Sequence, residues 1–397
     1  MTTTLTLILI APLVLLWMFV LVLAVQALAS FLPARPDVRG PECTSGAGNF
    51  VILMPAHNEE AIIEDTVRHT LSKLGPTGRL LVIADNCTDS TARRARAAGA
   101  EVTERHDPHR RGKGYALAHG VDQLRLAPPA VVVVLDADCH AEDGAVDRLV
   151  NRALHADRPV QGRYDMLPPE SAGLKQRMAA FAWDFRSRFR SEGFRRLGLP
   201  CQLMGSGMAF PWASLEKVSL ANGHLVEDLK LGLDLASAGM APVHGVDAVV
   251  TSVFPANEQG ARSQRQRWEH GHLSMMVGTA PRLFWKAVTK RDLALLAMVV
   301  DMSVPPLALL VLALAGFLAV VTALFGLGWI PAWLVASGAT ATAATGIIVL
   351  TGWWRVGRRW IRAGELFTIP LYVLAKVPVY AAFLTRRQLQ WIRTRRD

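Results

Sequence analysis

The side chains best suited to chemistry in this chain are Asp85, Asp136, Asp138, Glu227 and Asp228, with Lys113, Gln264, Arg267 and Trp268. The stretch VVVVLDADCH, residues 131–140, runs an apolar strand into Asp136 and Asp138, set one residue apart. A strand apolar at every position is buried on both faces, as in parallel sheets. Carboxylates at its carboxyl end stand where open α/β sheets bind ligands. Two carboxylates so close repel each other unless a cation or proton sits between them. They suit a hard divalent cation, Mg2+ or Mn2+, of the kind that bridges phosphate oxygens. A strand end followed by an aspartate N-cap would use the same residues.

Asp85 closes a second apolar strand, VIAD, and can bring a third carboxylate to the same crevice. Lys113 lies in GKG, 112–114, whose glycines allow close backbone approach to a phosphate; the motif also suits a plain turn, and the Walker spacing is absent. Glu227 and Asp228 are adjacent acids opening a helical run in HLVEDLKLG, a place the helix dipole also favours for acids. QRQRWEHGH, 264–272, supplies Gln264, Arg265, Arg267 and Trp268. An arginine–tryptophan pair can clamp a diphosphate and stack on a sugar, or anchor a basic helix at an interface.

The elements that must position these residues alternate. A strand at Asn49–Pro55 precedes HNEE and a helix from Ala61 to about Lys73. A strand at Leu80–Ala84, a helix at about 89–98, a short strand at 101–104, a helix at 115–126 and the strand at 131–135 follow. Such alternation predicts a doubly wound α/β sheet. In residues 173–198, Leu174, Met178, Phe181, Phe185 and Phe189 recur at helical spacing among arginines. This predicts a helix lying at a membrane surface.

Half of the chain, 51%, is hydrophobic, concentrated in Leu5–Leu32, Leu293–Phe325 and Trp329–Trp354. Each exceeds the roughly 20 residues that cross a bilayer. Leu5–Leu32 has no basic flank or small-residue cleavage site and reads as an anchor. The net charge of +10 includes +7 from residues 291–397, which argues against a nucleic-acid footprint. Arg35 and Arg39, the arginines of 355–362 and those of the C-terminus place these segments and the polar middle in the cytoplasm by the positive-inside rule. Leu366–Leu384, with Pro370, Lys376 and Pro378, is then interfacial or re-entrant, leaving three crossings and an external N-terminus. The expected organisation is an N-terminal transmembrane helix (1–33) and a cytoplasmic catalytic domain (34–290) with interfacial helices at about 173–198 and 262–290. A membrane domain (291–397) with two crossings and a basic tail completes it. The cysteines, Cys43, Cys87, Cys139 and Cys201, lack paired metal spacing and read as free thiols.

MPAHNEE, Asp85, the Asp136–Asp138 pair, VED and QRQRW occur in an order that resembles the membrane-bound family 2 glycosyltransferases, which include cellulose, chitin and hyaluronan synthases and bacterial exopolysaccharide enzymes. The likeness spans roughly residues 50–275. It implies the GT-A fold, a Rossmann-like nucleotide-sugar-binding domain, and a metal-dependent, inverting hexosyl- or N-acetylhexosaminyltransferase of the inner membrane. By that resemblance Pro55, Glu59 and Asp85 line the nucleoside pocket and Lys113 contacts the nucleotide. Asp136 and Asp138 hold the metal and diphosphate, and Asp228 is the general base with Glu227 beside it. Gln264, Arg267 and Trp268 close over the diphosphate, Trp268 also bordering the acceptor. Gly205, Ser206 and Gly207 form a loop at the acceptor end. The donor is expected to be a UDP-sugar and the acceptor a lipid or polysaccharide.

VED in place of the usual TED removes a hydroxyl beside the base, and the membrane portion is smaller than in the polymer synthases. The expected role is in surface polysaccharide synthesis; single-sugar transfer to a polyprenyl phosphate, ceramide or similar lipid uses the same motifs. A haloacid-dehalogenase-type phosphatase would need Thr or Val soon after the aspartate pair, where Cys139-His140 stands. A transporter reading rests on Asp301 alone, which the sequence places before Pro305-Pro306 begins the span.

Overall fold

The computed structural model describes residues 2–33 and 49–386. Cys43, Arg35, Arg39 and the arginines from Arg387 onward lie outside the described residues. Among the described residues eight strands form one sheet: β1 (Phe50–Ala56), β2 (Gly78–Asp85), β3 (Glu101–Arg105), β4 (Val131–Val134), β5 (His140–Ala141), β6 (Val160–Leu167), β7 (Met208–Pro211) and β8 (Val243–Val253). Their spatial order is β3-β2-β1-β4-β7-β6-β8-β5.

The half read from the sequence, β3-β2-β1-β4, is parallel throughout. β1, β2 and β4 are buried on both faces, so their alternation is lost and their apolar runs are continuous, while β3, EVTER, is a polar strand at the sheet's edge. Beyond β4 the sheet is mixed rather than purely doubly wound. β7 runs antiparallel to β4 and β6, and β6 pairs parallel with β8. Short strands such as β7 carry too few residues for a readable period.

A helix, Thr2–Ala29, forms where the apolar run Leu5–Leu32 predicts one. The apolar run Leu293–Phe325 is divided into helices Leu293–Ser303 and Leu307–Gly326, because Pro305 and Pro306 interrupt the hydrogen-bond ladder between them. Thr3–Ala29, Leu307–Gly326, Ala332–Gly357 and Ala363–Thr385 are each long and apolar enough to cross a membrane. The last begins as a 3-10 turn, Ala363–Thr368, and is broken at Ala375 and Lys376 between helices Ile369–Leu374 and Val377–Thr385.

The run over 173–198 is helical, Leu174–Asp184 and Ser191–Leu197, joined through a π-helical turn at Phe185–Arg190. Its apolar face does not await lipid. Met178, Phe181, Phe185 and Phe189 are buried with Leu16, Phe19 and Leu23 of the N-terminal helix and with Leu310, Leu314 and Ile348. Gly193 sits so close to the Gln26 backbone that any side chain there would overlap it. Arg190 of this segment has also found partners: it donates to Gln26 Oε1 (2.8 Å) and to Asp301 Oδ1 (2.7 Å). Asp301 also accepts from Gln26 (2.6 Å) and Gln202 (3.2 Å), so it anchors the N-terminal helix to the sheet domain.

Candidate active site

Parallel pairing brings three strand ends together. Ala56 of β1 stands opposite Ala84 of β2, and Leu53 opposite Val134 of β4. The last residue of β2, Asp85, and the loops after β1 and β4, with His57 and Glu59 and with Asp136 and Asp138, meet in one cleft of about 220 Å3. Lys113, at the start of helix Lys113–Leu124, and Glu227 and Asp228, at the start of Glu227–Ser237, close another side. Gln264, Arg267 and Trp268 reach in from helix Glu258–Gly278. Pro55 and Gly205 also line the cleft.

Asp136 is held by the Lys113 ammonium, which also donates to the Gly205 carbonyl (2.6 Å). Asp138 Oδ2 accepts from Ser252 Oγ (2.7 Å). Ligand atoms of Asp136, Asp138 and Cys139 lie within 4.8 Å of one another. Cys139 is a poor third ligand, since burial and then Asp138 and Asp136 push its thiol far above the usual range and keep it protonated. The donor set that remains, two carboxylates, is the chemistry a hard Mg2+ or Mn2+ ion takes.

Burial raises the Glu227 and Asp228 carboxyls above their ordinary values. Asp228 enlarges the Glu227 shift, while Lys113 holds both back. Burial disfavours the charge on Lys113, but Asp136, Glu227 and Asp228 outweigh it and its pKa rises. Lys113 is therefore a buried cation set against three carboxylates, Asp136, Glu227 and Asp228.

Two residues of the expected acceptor loop do not line the cleft. Ser206 is buried, its Oγ accepting from the Asp136 backbone N–H (3.1 Å), so it steadies the aspartate from behind. Gly207 leads into β7 inside the sheet, with its N–H on Val134 O (3.0 Å). Asp85 is engaged by Arg105 (2.6 Å), a residue without a motif of its own in the sequence. Gln264 Oε1 is buried with no hydrogen-bond partner among the described residues, an acceptor aimed at nothing the protein provides. The Trp268 ring is fixed by Trp183, with centroids 5.2 Å apart, and by Phe254 at 6.5 Å.

Tyr164, Trp183, Arg186 and Met204 also line the cleft and were not singled out from sequence. Trp183 and Arg186 belong to the segment read as a membrane-surface helix, and only tertiary packing turns them inward. Trp183, Arg186 and Trp268 line a second, apolar chamber of about 510 Å3 as well. Its other walls include Leu314, Val349 and Tyr372 of the apolar helices.

The chain is similar to glucomannan 4-beta-mannosyltransferase 7 of Arabidopsis thaliana, 23% identical over 257 residues, covering 59% of this chain and 45% of that protein. It is also similar to glycosyltransferase AglD of Haloferax volcanii, 31% identical over 127 residues, 30% of this chain and 20% of that one. The chain thus spans less than half the length of both curated relatives. Among solved structures, the mannosyltransferase PcManGT from Pyrobaculum calidifontis, in complex with GDP-Man and Mn2+, superposes over 94% of this chain and 100% of its own, with a TM-score of 0.51 and 15% identity. That likeness establishes a GT-A fold. The sequence model described as Glycosyltransferase like family 2 matches residues 47–271, more than half of the chain and every residue of the cleft named above, and on that ground the protein belongs to glycosyltransferase family 2.

Proposed function

We propose that the protein transfers a hexose, with inversion, from a nucleoside diphosphate sugar to a membrane-associated acceptor. The observation that carries this reading is the meeting of Asp136, Asp138, Lys113 and Asp228 in one cleft whose wall is shared with an apolar chamber. Pro55, Glu59 and Asp85 are the proposed nucleoside side of the cleft. Lys113, Arg267 and Gln264 hold the diphosphate, and Asp228 takes the proton of an acceptor hydroxyl as it attacks the anomeric carbon. Glu227 tunes that base, and Gly205 leaves room for the acceptor beside Trp268. A divalent cation on Asp136 and Asp138 would supply charge stabilisation to the departing diphosphate. A UDP-sugar is the donor expected from the sequence resemblance; PcManGT, which shares the fold, binds GDP-Man. The proposed setting is the inner membrane, with the catalytic domain in the cytoplasm.

The chamber favours a second, narrower reading over polymer synthesis: transfer of one sugar to a lipid, whose tail the apolar walls would accept. Membranes containing the protein, supplied with a panel of radiolabelled nucleotide sugars and Mn2+ or Mg2+, test both. Label dependent on Asp228 in an organic extract supports lipid transfer, and label in high-molecular-weight material supports a polymer. Equal labelling by wild type and Asp228→Asn would refute the catalytic assignment.

A further inference from the structure

Residues 174–197 contain seven basic side chains, and six have an acidic partner. Lys175 pairs with Glu258, Arg177 with Glu365, Arg188 with Asp184, Arg190 with Asp301, and Arg195 and Arg196 with Glu192. The seventh, Arg186, has neither an ion pair nor a side-chain hydrogen bond among the described residues. It is not out in solvent, where a lone arginine would be unremarkable. It lines the catalytic cleft and the apolar chamber at once. Burial, and then the neighbouring Arg190, work against its charge, with only partial relief from Asp228 and Asp301. Arg265, also without an acidic partner among the described residues, lines the same chamber.

A half-buried guanidinium kept without a carboxylate is costly unless an anion arrives to meet it. Such an anion would have apolar walls on one side and Asp228 on the other. Resting on the lipid reading above, we infer that Arg186 binds a phosphate lying between the tail and the sugar-accepting end of a lipid acceptor. The tail occupies the chamber, the phosphate takes the Arg186 fork, and the accepting hydroxyl reaches Asp228. The donor's diphosphate is an alternative source of the same chemistry, and a binding experiment separates the two.

The full-length protein in neutral detergent is equilibrated with radiolabelled dodecyl phosphate or dodecanol. A charge-assisted contact predicts phosphate binding about tenfold tighter than alcohol in wild type. Arg186→Gln should bring the two close together, while Arg186→Lys keeps most of the difference and its melting temperature reports folding. UDP or GDP with Mn2+ should not displace dodecyl phosphate, and inorganic phosphate should compete only weakly. Equal affinity for phosphate and alcohol in wild type, or an unchanged preference in Arg186→Gln, overturns the inference. Displacement by the nucleotides overturns it too and assigns Arg186 to the donor. Equally strong competition by inorganic phosphate removes the tail from the account. The assay needs no turnover, so its failure is distinct from a failure of sugar transfer.

Discussion

Gly205 faces the carboxylate of Asp228: a methyl group on it would stand in ordinary contact, 3.4 Å from Asp228 Oδ2 and 3.7 Å from Lys113 Nζ. Its φ of +95° is also one that residues with a side chain rarely adopt. Gly205→Ala should therefore disturb, through this φ, the backbone that the Lys113 ammonium holds beside the proposed base. The left-handed backbone alone costs about 1–2 kcal/mol. Turnover should fall about ten- to a hundredfold with nucleotide affinity changed far less. A steady-state comparison in which only donor KM moves would contradict this.

Arg105 and Asp85 form a nearly buried pair, with side chains 12% and 9% exposed. Removing the arginine strands the carboxylate. Arg105→Ala should lower stability by about 3 kcal/mol, whereas changing both residues to apolar ones should cost less. Thermal unfolding of the single and double variants decides the point; a double variant as unstable as the single would show that packing, not charge, is at stake.

The raised Glu227 carboxyl gives a pH dependence of known sign. A carboxyl whose folded pKa lies above its unfolded one stabilises the fold below the unfolded value and loses that contribution as pH rises through the folded pKa. Glu227→Gln has no such loss. Its melting temperature relative to wild type should therefore climb between about pH 5 and pH 8. A difference that stays flat across that range would contradict the buried, Asp228-coupled environment.

At Asp228 a raised pKa bears on rate. Its pKa is raised by burial, so the proposed base becomes protonated, and turnover declines, at a pH above that expected of an ordinary aspartate. A pH–rate profile that remains level down to about pH 4 would be incompatible with this role.

Gly193 permits the N-terminal helix to lie directly on the segment 191–197. Gly193→Leu should push the two apart and cost at least about 1–3 kcal/mol. Loss of the Arg190–Asp301–Gln26 contacts would follow. Retained thermal stability in detergent would mean that the helix is bound elsewhere.

The parts of the site legible in the sequence were those fixed by one strand or helix end. Asp85, Asp136 and Asp138 stand where buried strands stop, and Glu227 and Asp228 where a helix starts. These positions follow from local pattern, and the parallel half of the sheet brings the three aspartates together. What the sequence hid depends on partners far along the chain. Arg105 acquires meaning only beside Asp85, and Ser206 only behind Asp136. The phenylalanines of 174–197 show the right helical period, but a period cannot say whether lipid or protein covers the face. Here the N-terminal helix does.

The ties between Gln26, Arg190 and Asp301 join the first helix of the chain to a helix that follows the catalytic domain. Biosynthesis meets that arrangement in order: the first helix emerges long before Asp301 exists to complete the cluster. Until then Arg190 has no carboxylate and the apolar face of 174–197 has only part of its cover. The sheet domain thus matures last at the side that meets the apolar helices, and an excised domain would carry that unfinished face permanently.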